Sequence, residues 1–125
     1  MQEYFLSIDS IGIVPWTYPT TSDIMTYSSL LATSLNKITP FILNPSASSR
    51  QITVNGVDCG IWTVGSQALV LATNTNYANE TVTLASLKLP TGKNMVQVLD
   101  TGSAATSAQD GFTFTSVGSG GFIVE

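Results

Sequence analysis

The sequence contains no histidine, and it contains one cysteine, Cys59. A His/Cys zinc site, a Ser-His-Asp triad and a Cys-His pair each need residues that this chain does not supply by itself. A single cysteine also gives no disulfide framework, and in an apolar strand such a residue is most often a small core residue. We therefore predict no metal site, no cofactor and a buried Cys59.

Charged residues are also scarce, at 10% of the chain, with 4 basic against 8 acidic residues. No cluster of Lys and Arg is present, so the basic surface that phosphate binding requires is missing and nucleic acid is not expected as a partner. No apolar run is long enough to span a membrane. The apolar stretch 4–14 is interrupted by Asp9 and lacks the flanks of a signal peptide, so this chain is expected to contain none.

With 125 residues, the chain is long enough for one domain that buries roughly two thirds of the surface of its unfolded form. Residues 1–45 are expected to form a strand and a helix that pack on a sandwich formed by 50–125. The helix is predicted over 22–38, with Ser22 as N-cap and Pro40 as its end. Its apolar face has residues at spacings of three and four: Ile24, Tyr27, Leu31, Leu35 and Ile38.

From residue 50 the apolar residues recur with period two. The pair Asn55-Gly56 separates two β-forming runs and predicts a tight hairpin turn. The runs "QALVLATN" and "ETVTLASL", joined by "TNYAN", predict a second hairpin, while 101–111 reads as a surface loop or a poor edge strand. Six or seven short strands at intervals of roughly ten residues indicate a mainly β protein, an antiparallel β-sandwich preceded by one strand and one amphipathic α-helix.

Three stretches resemble the carboxy-terminal end of secreted glycoside hydrolases, particularly fungal and bacterial enzymes in which a (β/α)₈ barrel precedes a small β-sandwich. "IGIVPWTYP" looks like a last barrel strand, and "YSSLLATSLNKITPFILNP" looks like the last barrel helix with its exit. "ALVLATNTNYANETVTLASL", together with the closing "FTFTSVGSGGFIVE", looks like the accessory sandwich. The resemblance implies a secreted, extracellular protein that lacks the barrel strands on which such enzymes carry their catalytic acids.

Under that resemblance, Trp16 and Tyr18 would stand at the substrate rim of a barrel. Without the rest of a barrel, the apolar helix face must pack on the sandwich or on another chain, so self-association is one expectation. Four aromatic residues are candidate platforms for carbohydrate: Trp16, Tyr18, Trp62 and Tyr77. For Trp62 the alternation with Ile61 favours a place in the core, and for Tyr77 a surface position without a ligand is the plain alternative.

Acidic residues offer no convincing catalytic pair. Asp9 with Asp23, or Asp58 with Asp100, could be named, but positions at a helix start, after a turn and at a strand end are ordinary structural ones. Asn79-Glu80-Thr81 is a sequon for N-glycosylation at a loop-to-strand junction, whereas the proline in Asn44-Pro45-Ser46 disqualifies that triplet.

The sequence thus predicts a non-catalytic accessory β-sandwich that acts in packing, self-association, or carbohydrate or cell-surface binding. The alternative is a standalone small lectin-like or immunomodulatory fungal protein. A minimal hydrolase using Asp9 or Asp58 is the third interpretation.

Overall fold

The computed structural model describes residues 22–100 and 106–125. They form helix α1 (Ser22–Ile42) and eight strands: β1 (Ser48–Val54), β2 (Val57–Val64), β3 (Gln67–Asn74), β4 (Glu80–Thr83), β5 (Met95–Asp100), β6 (Thr106–Ala108), β7 (Gly111–Phe114) and β8 (Gly118–Val124). The predicted mainly β class is confirmed. The structure has one strand more than the six or seven predicted, and this strand is β6, which is exposed along its length and is the poor edge strand that the sequence allowed. The strand predicted before the helix lies outside the described residues.

The strands form two antiparallel sheets. The larger sheet has five strands in the order β1-β2-β3-β8-β5, and the smaller has three in the order β4-β7-β6. The pair β1 and β2 is the predicted hairpin, with Asn55 at φ 53° and Gly56 at φ 76° in its turn. Positive φ at both central residues matches the right-handed twist of the flanking strands, which explains why this residue pair marks the turn.

The second predicted hairpin is wrong. Strand β3 pairs with β2 and β8, whereas β4 pairs with β7 in the other sheet. Residues 75–79 therefore cross from one sheet to the other, and residues 115–117 cross back between β7 and β8. A polar five-residue loop between two β-forming runs has the same local pattern in both arrangements, so only the distant pairing partners distinguish them.

The helix also differs from the prediction, because it continues through Pro40 to Ile42. A proline inside a helix lacks the N–H for one backbone hydrogen bond and crowds the preceding turn. Here the Thr39 hydroxyl donates to the Leu35 carbonyl, and Phe41 is buried one turn after the fully buried Ile38. Burial of this face stabilises the last turn enough to outweigh the local cost of Pro40.

Two apolar clusters cover the two faces of the five-stranded sheet. Between the sheets, Phe112 stacks on Phe122 with ring centroids 4.5 Å apart and meets Phe114 edge-on. On the other face lies a second cluster that contains the helix: Ile38, Phe41, Trp62, Leu69, Leu71 and Val98. Residues 22–100 and 106–125 thus form three layers. Because the central sheet is covered on both faces, β2 and β3 are buried almost continuously and do not alternate.

Two backbone features lie next to strands of the smaller sheet, one at the start of β7 and one after β4. At Gly111, a Cβ would collide with the Val82 carbonyl oxygen and lie 2.8 Å from Thr83 Cα, so the approach of β4 to β7 requires glycine there. After β4, a helical turn ends in a Schellman motif: the N–H of Leu89 bonds to the carbonyl of Leu84 at 3.0 Å, and that of Lys88 to Ala85 at 3.0 Å. Lys88 occupies the left-handed position of that motif with φ 57°.

Candidate functional site

The candidate site is the crossover end, which comprises the turn Asn55-Gly56 and the two crossing segments 75–79 and 115–117. Its anchor is Asn74, the last residue of β3, which is fully buried. The Asn74 amide donates to the carbonyls of Ala78, at 3.2 Å, and Ser116, at 2.9 Å, while its oxygen accepts the N–H of Asn76 at 3.0 Å. One buried side chain therefore ties both crossings together.

A second amide links this anchor to the β1–β2 turn. Asn76 Nδ2 donates to the Asn55 carbonyl at 3.0 Å, and Asn55 Nδ2 donates to the Thr81 carbonyl at 3.3 Å. The Asn76 side chain lies so close to Gly56 that a Cβ at residue 56 would collide with it. Three asparagine side chains at this end are consequently engaged in holding the backbone.

Tyr77 lies in the first crossing and is 97% exposed. The backbone on both sides of it is fixed to Asn74, through the N–H of Asn76 and the carbonyl of Ala78. Val117, in the second crossing, is 46% exposed, and it follows the residue whose carbonyl Asn74 also binds. The crossover end thus presents an aromatic ring on a backbone that hydrogen bonds hold in place.

Asn79 lies at the entry to β4 and is exposed, as the loop-to-strand position of its sequon predicts. Among the described residues, no hydrogen bond engages its side chain. Thr81, the third residue of the sequon, is also exposed, and its hydroxyl lies 3.1 Å from that of Thr113. The side-chain amides of Asn55, Asn74 and Asn76 bond to backbone carbonyls, whereas that of Asn79 makes no hydrogen bond within the described part of the chain.

Of the other three aromatic candidates, Trp62 is buried, and Trp16 and Tyr18 lie outside the described residues. Trp62 is 3% exposed and packs in the cluster between the helix and the five-stranded sheet, so it has no ring face to offer a ligand. Trp62 is therefore a core residue and not a carbohydrate platform; this is the position that its alternation with Ile61 favoured, and it is buried because β2 is covered on both faces.

The helix face predicted to drive self-association is partly covered within the chain. Ile38 is fully buried and Leu35 is partly buried against the five-stranded sheet. The side chains of Ile24, Tyr27 and Leu31 lie outside the described residues, so for them the prediction remains untested. In residues 22–100 and 106–125, no helix combines the length and hydropathy needed to cross a bilayer.

The acidic residues do not assemble into a recognisable catalytic or metal-binding group where the structure describes them. Asp58 is half-buried and accepts a hydrogen bond from Thr53 Oγ1 at 2.9 Å, across the β1–β2 pair. In the same row of the sheet, Thr73 Oγ1 lies 3.4 Å from Ser119 Oγ. The row is a polar ladder with one carboxylate, and the described ranges contain no group of three or more acids or thiols that could hold a metal ion. The Asp9 and Asp23 side chains, and that of Asp100, lie outside the described residues.

An open groove runs along the edge where β5 and β6 meet. Its lining includes the exposed Val96, the β6 residues Ser107 and Ala108, and one carboxylate, Glu125. Hydrolysis by two carboxylates requires a second acid on the opposite side of a bound sugar, and the lining supplies none.

Cys59 is buried in the cluster between the sheets, as predicted. Desolvation, followed by the nearby charge of Asp58, raises the pKa of the Cys59 thiol to about 12. A thiol that stays protonated is a poor nucleophile and a poor metal ligand, so Cys59 is a core residue.

Sequence reasoning missed Asn74, the residue that organises this end of the molecule. The available signal was an asparagine at the end of an apolar strand, in "LATNTNYAN", where an amide can bond to the backbone two residues onward. Its second role, the bond to Ser116, joins positions far apart in sequence and has no local signature.

Comparison with known proteins gives likenesses in structure. No protein-family model and no curated protein matches the chain. A solved α-amylase structure from Anoxybacillus, described as representing a new glycosyl hydrolase subclass, is similar with a TM-score of 0.62 and 17% identity, over 86% of this chain and 24% of that one. The solved structure of an α-glucosyl transfer enzyme, XgtA, has a TM-score of 0.49 and 15% identity, over 74% of this chain and 16% of that one. The chain therefore spans less than a quarter of each of these proteins, and the first likeness shows a shared fold.

Proposed function

We propose that this chain is a non-catalytic accessory domain of a glycoside hydrolase, whose work is to pack against a catalytic domain. The observation that carries the proposal is the coverage of the α-amylase likeness: 86% of this chain corresponds to only 24% of that protein. A fold that occupies so small a part of a large enzyme is suited to an accessory role. The extracellular location suggested by the sequence resemblance is part of the same proposal.

The helix-sheet layer gives this role a physical basis. Ile38 and Phe41 pack on Trp62 and Leu69, so the end of α1 is attached to the sandwich by buried apolar contacts and not by a loose linker. Full burial of one such side chain contributes about 1.5–3 kcal/mol. In the proposed parent enzyme, a helix held in this way would transmit the position of the preceding domain to the sandwich.

The chemistry of the described residues supports a non-catalytic role. Asp58 is hydrogen-bonded within a sheet ladder, and the groove at the β5–β6 edge contains one carboxylate. Neither arrangement places two acids on opposite sides of a cavity.

The first test is an activity assay on the purified chain. It should be incubated at high concentration with soluble starch and with fungal and plant polysaccharide fragments, while reducing ends are measured. We expect no release above buffer. Release that disappears in Asp58→Asn would overturn the non-catalytic assignment.

The second test addresses the helix-sheet layer by hydrogen exchange. Ile38→Ala combined with Phe41→Ala is expected to speed amide exchange in α1 while β3 and β8 remain protected, because the helix loses its anchor. The matched control is Leu43→Ala, which alters a side chain 70% exposed at the same end of the helix. Unchanged protection of α1 in the double variant would contradict the proposed junction.

A standalone lectin-like protein is the competing function. Such a protein should bind fragments saturably with no catalytic domain present, and the same polysaccharide panel measures this binding. Of Trp62 and Tyr77, the two aromatic candidates that the structure describes, Tyr77 is the exposed one, so it is the ring that this part of the chain offers to a free glycan.

A further inference from the structure

Tyr77 and Asn79 lie two residues apart, and both are exposed at the crossover end. The amides of Asn55, Asn74 and Asn76 are all bonded to backbone carbonyls, whereas Asn79 is exposed and no hydrogen bond engages its side chain among the described residues. Tyr77 is 97% exposed, although a tyrosine ring is largely apolar.

We propose that Asn79 carries an N-linked glycan and that the Tyr77 ring packs against the first sugar of that glycan. Tyr77 and Asn79 Cα atoms can be at most about 7 Å apart along the chain, which is within reach of both side chains. The C–H face of a pyranose ring is apolar, and it would cover the exposed aromatic face. The carbohydrate that Tyr77 meets is then the chain's own glycan and not a free ligand.

The backbone around the site favours this arrangement. Asn74 fixes residues 76 and 78 by hydrogen bonds, so the Tyr77 ring is presented on a backbone that is already ordered. Asn79 directly precedes β4, which pairs with β7 on one side and is an edge strand in the order β4-β7-β6. A glycan at the start of an exposed edge would also block pairing with another chain.

The modification itself requires a lipid-diphosphate-linked oligosaccharide and the transferase of a eukaryotic secretory pathway. The Asn79 side-chain nitrogen forms a bond to C1 of the first sugar and releases one proton to water. The bond between C1 and the diphosphate oxygen breaks, and the lipid diphosphate leaves. No oxidation or reduction takes place.

The test is secretion of the chain from yeast behind a cleavable leader, followed by mass spectrometry and endoglycosidase trimming to one sugar. The wild type is expected to carry the glycan, and Asn79→Gln to carry none. The triplet Asn44-Pro45-Ser46 serves as an internal negative site. An unmodified wild type would overturn the proposal.

The contribution of Tyr77 is measured by thermal unfolding of single-sugar forms. Relative to Asn79→Gln, the wild type should gain about 2–5 °C in Tm, the shift expected from one aromatic packing contact in a domain of this size. Tyr77→Phe should retain this gain because it retains the ring, while Tyr77→Ala should lose it. The N-acetyl methyl proton resonance of the first sugar should lie upfield in the wild type and return to its usual position in Tyr77→Ala. An equal gain in Tyr77→Ala would refute the packing of ring on sugar.

Discussion

Asn74→Ala tests how the two sheets are held together at the crossover end. The substitution removes two donated hydrogen bonds, to the carbonyls of Ala78 and Ser116, and one accepted from the N–H of Asn76. A net hydrogen bond is worth about 1 kcal/mol, and a buried group left unpaired costs about 1–3 kcal/mol. Because Ala78 and Ser116 are exposed residues, water can replace part of what is lost. We therefore expect a loss of about 2–4 kcal/mol in the free energy of unfolding.

Urea denaturation followed by circular dichroism measures this loss. With a slope of about 1–3 kcal/mol per molar urea, the midpoint should fall by about 1–2 M. The matched control is Asn76→Ala, which removes one exposed hydrogen bond, to the Asn55 carbonyl, and should cost under about 1 kcal/mol.

Asn74→Asp separates hydrogen bonding from packing, because the two side chains have nearly the same shape. The carboxylate still accepts from Asn76, but it sets a negatively charged oxygen against two carbonyl oxygens. It should therefore destabilise at least as much as Asn74→Ala at neutral pH. If Asn74→Asp unfolds at the same urea concentration as the wild type, or if Asn74→Ala is as mild as Asn76→Ala, the anchoring role is refuted.

Three further predictions use the same denaturation assay. Gly111→Ala should cost about 3 kcal/mol because its Cβ meets backbone of β4, whereas Gly65→Ala, at φ 59° with open space around it, should cost about 1 kcal/mol; equal costs would contradict the close approach. Lys88→Gly should stabilise by about 0.5–1 kcal/mol, because glycine adopts the left-handed position without strain, and a loss of stability would contradict this. Cys59 should resist thiol reagents at pH 8, because its pKa is raised to about 12 in the folded chain. Above pH 9 the unfolded thiol ionises while the folded thiol stays protonated, so the free energy of unfolding should fall by up to about 1 kcal/mol per pH unit. Cys59→Ala should remove the contribution of this thiol to the pH dependence.

Local sequence rules predicted those parts of the fold that local forces decide. The Asn55-Gly56 turn needs only two residues able to adopt positive φ, and the structure has them there. The crossing between β3 and β4 could not be predicted in the same way, because it depends on β3 pairing with β8 and β4 with β7. Pro40 shows the related limit for the helix, since burial of Phe41 outweighs the local signal.

The candidate site was predicted in part for the same reason. Exposure of Tyr77 and Asn79 follows from their polar loop, which the sequence shows directly. For Trp62 the sequence favoured a core position but kept a carbohydrate platform as an alternative, because alternation identifies a core face only where the other face of the sheet is solvated. Here α1 covers that second face, so both kinds of position along β2 are buried.

The proposed junction and the proposed glycan do not compete for space. Along β2, the crossover end lies at Val57, which pairs with Asn74, while the helix packs near Trp62, which pairs with Leu69. Five residues of strand separate these rows by about 16 Å. Asn79, moreover, directly precedes a strand of the smaller sheet, and the helix covers the outer face of the larger one. A glycan on Asn79 would therefore leave the helix-sheet layer accessible to a catalytic domain, and loss of the glycan should leave packing at that layer unchanged.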